Sequence, residues 1–114
     1  MNVEIFQILS DQTRMRALVL MAGEGALCVC ELAYALDMAQ PKISRHMAVL
    51  RSSRIVTSRR DAQWMFYSIN QNLPQWQRKI IESAIEGNGE SKQSQEDRAR
   101  LMDMKDRPDR CEVA

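Results

Sequence analysis

The feature that most constrains the fold is the segment of residues 40–51, whose side chains divide between two faces of one helix. Ile43, Met47 and Leu50 recur at i, i+4 and i+7, which is the spacing of an apolar stripe that packs against a core. The opposite face repeats a helical spacing with mostly basic residues, namely Lys42, Arg45, His46 and Val49. Pro41 fits the first turn, where a proline costs no internal hydrogen bond. The segment therefore predicts a helix with one buried face and one basic face.

Hydrophobic periodicity predicts the elements around this helix. A short apolar helix covers residues 3–9, and a second helix follows a cap at Ser10 or Asp11 and closes at Gly23 and Gly25. The remaining predicted elements are a helix at residues 31–36, a turn at 37–39, strands at 55–60 and 64–69, and a helix at 73–85. This order is typical of a winged helix-turn-helix, a mainly α fold with a small β-hairpin.

Length and composition allow one domain with a hydrophobic core. The chain has 114 residues, of which 45% are hydrophobic and 27% are charged. We expect residues 1–88 to form a winged helix-turn-helix domain for DNA binding and dimerisation, and residues 89–114 to form a polar, flexible tail. A Ser94-x-x-Asp97 pattern leaves a short helix in that tail open. No apolar run reaches the roughly 20 residues of a membrane span, so we expect a cytoplasmic protein without a membrane partner.

Uneven placement of charge predicts a nucleic-acid surface, because the formal net charge is only +1. A helix of this width enters the major groove of double-stranded DNA, where arginine or lysine pairs with guanine edges and glutamine with adenine. Arginines after the helix extend the positive charge to a hairpin that reaches the minor groove or the backbone. The candidate DNA-binding residues are Gln40, Lys42, Ser44, Arg45, His46, Arg51, Arg59 and Arg60, with Arg54 beside them. The competing interpretations are a solvated basic surface and an interaction module that does not read DNA.

Residues 27–56, LCVCELAYALDMAQPKISRHMAVLRSSRIV, resemble the ArsR/SmtB family of repressors, and specifically its arsenic-sensing branch. Residues 10–21 are similar to the second helix of that family, and residues 63–69 to its wing. The resemblance implies a homodimer built on the N-terminal and 73–85 helices, a palindromic operator, and release from DNA when an inducer binds. The apolar stripe of the 73–85 helix agrees with a dimer, because it is wider than one small core needs.

Two closely spaced cysteines form the candidate metalloid site. Cys28 and Cys30 lie two residues apart, and on an intact helix such side chains point roughly 200° apart. One soft ion with sulfur bonds of about 2.3 Å needs its sulfurs within roughly 4 Å. We therefore predict that binding through both thiolates requires the start of the 31–36 helix to be extended or unwound. The third cysteine of the arsenic-sensing pattern is replaced by Ala33, so Cys111 in the tail is a candidate third donor for As(III) or Sb(III).

Three other functions, namely a redox switch, a zinc site and an enzyme, are supported by fewer features of the sequence. A redox switch through a Cys28–Cys30 disulfide stays open, although the ring is small and Glu31 does not favour a thiolate. A zinc site on the last helix would use carboxylates and histidines, but that helix offers Glu82 and Glu86 and no histidine. We expect no enzyme and no organic cofactor, because no nucleophile pairs with an acid/base partner.

Overall fold

The computed structural model describes residues 4–105, 107 and 108, and it places helices around a three-stranded antiparallel sheet. The elements are α1 (Glu4–Leu9), α2 (Gln12–Glu24), β1 (Leu27–Cys28), α3 (Val29–Leu36), α4 (Gln40–Ser52), β2 (Val56–Asp61), β3 (Trp64–Ile69), α5 (Gln75–Asn88) and α6 (Lys92–Asp103). The strand order in the sheet is β1-β3-β2.

Capping residues define the limits of α2 as the sequence predicts. The Asp11 side chain accepts a hydrogen bond from the backbone N–H of Arg14 at 3.0 Å, which satisfies a donor that the first turn leaves unpaired. The helix ends at Gly25, whose φ of 93° lies in the region that glycine adopts without strain. The predicted start of α4 at Gln40 is also confirmed.

The predicted hairpin is confirmed, with one residue of displacement in its first strand. Strands β2 and β3 pair in register from Val56 opposite Ile69 to Asp61 opposite Trp64, and Ala62 and Gln63 form the turn. Ala62 has a φ of 58°, the left-handed conformation that a tight hairpin turn demands. The short strand β1 was not predicted, because two residues are too few to show a period.

Helix α6 contradicts the predicted flexible tail over residues 92–103. Its N-cap is Ser91, whose side chain accepts from the N–H of Ser94, so the predicted cap lies three residues too late. The helix packs on α2 and α3, and it buries Leu101 and the carboxylate of Asp97. Charged residues on its exposed side hide this in the sequence, because an isolated polar helix is unstable until tertiary contacts hold it.

The core lies where α2, α3 and α4 meet the sheet. Leu18, Leu32 and Leu50 are fully buried there, and Ile43 and Met47 turn inward from α4 as predicted. Helices α3 and α4 are joined by the three residues 37–39, and the hairpin follows directly. This arrangement is a winged helix-turn-helix. Among the residues that the structure describes, no helix is both long and apolar enough to cross a membrane.

Candidate nucleic-acid interface and cysteine site

Helix α4 presents its basic face to solvent. Gln40, Lys42, Ser44 and Arg45 are all exposed, whereas the opposite stripe is buried. The N-cap residue is Ala39, which has no side chain to bond the first backbone N–H groups. Those donors and the positive end of the helix dipole suit a phosphate group. The exposed face is therefore built for contact with a polyanion.

His46 occupies a different position from its basic neighbours on α4. Its Nδ1 accepts a hydrogen bond from Nη1 of Arg14 at 3.2 Å, because arginine has no acceptor to offer. Burial, the largest cause, lowers the pKa of His46, against the carboxylate of Asp11, which raises it. The imidazole is thus neutral at pH 7 and joins α4 to α2. His46 therefore helps to orient α4, and its role as a DNA contact stays a prediction.

Arg14 is a residue that sequence reasoning missed. Its Nε donates to the backbone carbonyl of Ile8 at 2.9 Å while its Nη1 donates to His46. One guanidinium therefore ties α1, α2 and α4 together. No local signal in the sequence distinguishes Arg14 from an exposed arginine, since its partners lie 6 and 32 residues away.

The arginines of the wing lie on opposite faces of strand β2. Arg59 sits over the ring of Phe66 at 5.6 Å from the centroid, and its Nη1 lies 3.6 Å from a carboxylate oxygen of Asp61. Its side chain is nevertheless 61% exposed, and the adjacent Arg60 is exposed as well. Alternation along a strand directs successive side chains to opposite sides. A hairpin inserted in a groove brings both sides close to a DNA backbone.

Two arginines follow the basic face of α4 toward the wing. Arg51 lies exposed in the last turn of the helix. Arg54 is exposed too and has a φ of 67°, which lets the N–H of Ile55 reach the carbonyl of Leu50 at 3.0 Å. This left-handed residue closes the helix in a Schellman motif. The basic surface is therefore continuous from α4 to β2.

The structure brings the sulfurs of Cys28 and Cys30 to 2.9 Å from each other, with Cys28 extended, as one of the two predicted alternatives requires, and without unwinding of α3. Helix α3 begins at Val29, two residues before its predicted start, so Cys28 is the N-cap and stands outside the helix. Its backbone is extended, with φ −90° and ψ 170°, and this directs its side chain over the first turn. The 200° separation applies only to two residues that are both helical.

Glu31 holds this conformation through a reciprocal cap. Its Oε1 accepts the backbone N–H of Cys28 at 3.0 Å, and its own backbone N–H faces the Cys28 sulfur. The spacing Cys-x-x-Glu is the capping-box pattern with cysteine in the place of serine. That signal was present in the sequence, and it explains why β1 gives way to α3 at Cys28.

The Cys28 thiol is protonated in the free protein. Burial is the largest cause that raises the pKa of the Cys28 thiol to about 12, and its hydrogen bond with Cys30 acts in the same direction. Cys28 is buried and Cys30 is half-buried. A ligand that bonds to the Cys28 sulfur must therefore displace its proton, which only a strongly thiophilic group does readily.

Two observations concern a third donor. Cys111 lies outside the described residues, and within the described part of the chain no three cysteine, histidine or carboxylate side chains converge as a metal site. The described chain nevertheless returns to the cysteine pair after α6. Nε of Arg107 donates to Oε2 of Glu31 at 2.7 Å, and its Nη2 lies 3.4 Å from Glu24.

The helices predicted for dimerisation leave apolar side chains uncovered. Phe6 in α1 is 50% exposed and Trp76 in α5 is 42% exposed. Of the apolar residues in α5, Ile81 alone is buried among the described neighbours, although the predicted stripe also includes Ile80 and Ile85. A single chain therefore covers only part of the stripe.

Comparison with known proteins identifies the family to which the chain is similar. The family model described as bacterial regulatory protein, arsR family, matches residues 11–58. The arsenic resistance transcriptional regulator ArsR2 of Pseudomonas putida is 44% identical over 110 residues, which cover 96% of this chain and 94% of that protein. The arsenical resistance operon repressor of Escherichia coli is 44% identical over 82 residues, which cover 72% of this chain and 70% of that protein. The crystal structure of the antimony-specific transcriptional repressor AntR matches with a TM-score of 0.63 and 28% identity, over 80% of this chain and 79% of that one.

Proposed function

Because the chain belongs to the ArsR family of bacterial regulatory proteins, we propose that it is a cytoplasmic, metalloid-responsive transcriptional repressor. It binds a palindromic operator as a homodimer, and it leaves the operator when As(III) or Sb(III) binds the thiolates of Cys28 and Cys30. The observation that carries this proposal is the 2.9 Å separation of the two sulfurs at the start of the helix that supports α4.

The two sulfurs suit a soft, trivalent metalloid. They lie well within the roughly 4 Å that bonds of about 2.3 Å to one atom require. Thiolates select thiophilic ions, and the residues nearest in the chain add one carboxylate, Glu31, that is already engaged as a cap. The sulfurs bind the metalloid as thiolates. Binding therefore changes the charge at the N-terminus of α3, and the bonds to the metalloid restrain its first turn.

A third sulfur from Cys111 completes the proposed site. Arg107 contacts Glu31, and four residues further along an extended chain span at most about 14 Å. This length allows Cys111 to reach Cys28 and Cys30 of the same chain, and donation to the pair of the partner subunit is the alternative arrangement. A three-sulfur pyramid satisfies all three bonds of As(III) or Sb(III).

Helix α3 connects this site to DNA. Cys28 caps its first turn, and only residues 37–39 separate its end from α4. A change at the first turn is therefore transmitted along the 8 residues of α3 to the start of α4, the groove-reading helix. A coupling of about 1–3 kcal/mol weakens operator binding roughly 5- to 150-fold, which is enough to release a promoter.

A fluorescence anisotropy titration tests the proposal. The protein first selects its operator from a random duplex library, and the labelled operator is then titrated with arsenite, antimonyl tartrate and zinc in turn. Release by the trivalent metalloids but not by zinc supports the function. Salt-insensitive binding without sequence preference would instead favour an interaction module that does not read DNA.

A thiol redox switch is the second candidate, and the close approach of the two sulfurs is the observation that favours it. The pKa of about 12 of the Cys28 thiol opposes the redox switch, because little of this thiol is present as the thiolate that starts disulfide formation. In this mechanism a peroxide oxidises the two thiols to a disulfide and is itself reduced. Release from the operator by peroxide alone, reversed by dithiothreitol, would favour this candidate.

We expect Arg45→Ala to weaken specific operator binding by about 1–3 kcal/mol, because the substitution removes an exposed guanidinium that pairs with a base edge. The fold should be unaffected, since no buried contact is lost. Lys92→Ala on α6 is the matched control, as it removes an exposed cation from another helix. Equal affinities of the two variants for the operator would contradict the assignment of α4 as the reading helix.

We expect Trp76→Glu to convert the homodimer to monomers, because it places a charge on the uncovered stripe of α5. The loss should be about 2 kcal/mol or more of dimerisation free energy, as for a central interface aromatic. Sedimentation velocity over a concentration series measures it. Met102→Glu on α6, where the side chain is 72% exposed, serves as the control. If both variants sediment alike, α5 does not form the interface.

A further inference from the structure

The segment after α5 contacts both ends of helix α3. At the C-terminal end, Nε of Arg100 in α6 donates to the carbonyl of Ala35 at 2.8 Å. Beside it, Nη2 of Arg16 in α2 donates to the carbonyl of Leu36 at 3.1 Å. These carbonyls belong to the last turn, which has no partners within the helix. The buried carboxylate of Asp97 binds both guanidinium groups, at 2.8 Å and 3.3 Å. Helix α6 is thereby fixed along α3.

At the N-terminal end, the contact passes through Glu31. This residue is fully buried, and each of its two carboxylate oxygens accepts a hydrogen bond from a different part of the chain. Oε1 accepts the backbone N–H of Cys28, and Oε2 accepts Nε of Arg107 at 2.7 Å. A buried carboxylate is held in place by the cation and the hydrogen bonds that replace its hydration. The guanidinium of Arg107 therefore helps to hold Glu31 in place as the cap of Cys28.

We propose that Arg107 is a positioning residue of the cysteine site: by holding the Glu31 carboxylate, it keeps the Cys28 backbone in the conformation in which the two sulfurs converge. The C-terminal segment thus sets the affinity of the chain for its inducer. Only the identity of that inducer rests on the proposed function. The position of the sulfurs is a property of the free protein.

The physical reason is preorganisation. Without Arg107, the Glu31 side chain is free to move toward water, and the N–H of Cys28 then loses its acceptor. The extended N-cap conformation is then one of several, and ordering it again costs part of the binding free energy. Residues that orient the ligands of a metal site typically change its affinity 10- to 100-fold when replaced.

The test compares Arg107→Gln with Lys105→Gln, which removes an exposed cation two residues away. Both are made in a Cys111→Ser background, so that two of the three cysteines remain and no effect passes through the tail thiol. The first readout is cross-linking by dibromobimane, in which each thiolate displaces one bromide and only a close pair yields the bridged product. The second is the dissociation constant of arsenite, followed by the thiolate-to-arsenic absorption in the near ultraviolet.

We expect Arg107→Gln to slow cross-linking and weaken arsenite binding about tenfold, whereas Lys105→Gln matches the background protein. Operator affinity without arsenite should change less than about twofold, because the contacts at the other end of α3 remain. Arg107→Lys should restore part of both losses, since an ammonium group still pairs with a carboxylate, though at one point only. Adding Glu31→Gln to Arg107→Gln should cause little further loss, because the two act in one contact.

Each outcome decides between alternatives. If Arg107→Gln cross-links and binds arsenite as Lys105→Gln does, the positioning role is overturned. If Arg107→Gln slows cross-linking but the chain with all three cysteines binds no arsenite, the positioning role stands and the proposed inducer is wrong. Should Arg107→Gln fail to fold by far-ultraviolet circular dichroism, Arg107→Lys decides the matter with the same two readouts.

Discussion

Cys28→Ser and Cys30→Ser should each bind the operator like the unchanged protein and stay bound when arsenite is added. A serine oxygen is a hard donor that does not replace a thiolate toward trivalent arsenic. Serine is also a preferred N-cap residue, so Cys28→Ser keeps the reciprocal cap with Glu31 and leaves the fold intact. In anisotropy titrations the unchanged protein should lose operator affinity roughly 5- to 150-fold, and the variants less than about twofold.

Cys111→Ser tests the third donor separately, because it removes the one other thiol of the chain. A lost response to arsenite in this variant would identify Cys111 as the third donor, and an unchanged response would exclude it from the site. Normal release of Cys28→Ser or Cys30→Ser by arsenite would remove the cysteine pair from the mechanism. Such a result would leave the DNA-binding role of α4 untouched.

Asp97→Ala should lower the free energy of unfolding by about 3 kcal/mol, which is the usual cost of removing one partner from a buried ion pair. Asp97 is 1% exposed and receives both Nε and Nη2 of Arg16, at 2.9 Å and 2.8 Å. Its loss leaves Arg16, whose side chain is only 18% exposed, without the carboxylate that compensates its charge. Urea unfolding followed by circular dichroism measures the change.

Glu96→Ala is the control for Asp97→Ala, since the exposed neighbouring carboxylate should contribute less than about 0.5 kcal/mol. Asp97→Asn should fall between the two variants, because the amide keeps one oxygen as an acceptor and loses the charge. Equal stability of Asp97→Ala and Glu96→Ala would mean that α6 does not hold α2 and α3 together in solution.

Regular periodicity made most of the winged helix-turn-helix predictable. The i, i+4, i+7 stripe of Ile43, Met47 and Leu50 identified the buried side of α4, and β-branched and aromatic runs identified the hairpin. Asp11 and Gly25 marked the ends of α2 because caps act within one turn. These features depend on neighbours close in sequence, so they can be predicted from the amino-acid sequence alone.

The cysteine site was predicted in its residues but not in its geometry. The spacing of Cys28 and Cys30 is visible in the sequence, whereas their 2.9 Å approach depends on a helix start at Val29 rather than at residue 31. That start is set by the local Cys28–Glu31 cap together with the pairing of β1 with β3, in which Cys28 lies opposite Phe66. A strand pair 38 residues apart in the chain has no local signature.

The sequence by itself determined which residues are available for contact with DNA and which sulfurs are available for a soft ligand, because residue type and helical spacing set both. Tertiary structure alone decided what each of them touches: it turned His46 toward Arg14, folded residues 92–103 onto α3, and brought Arg107 to Glu31. The physical reason is that buried charges and imidazole groups are positioned by partners that satisfy their hydrogen bonds. Those partners lie 32 and 76 residues away, a distance over which only the packed core brings them together.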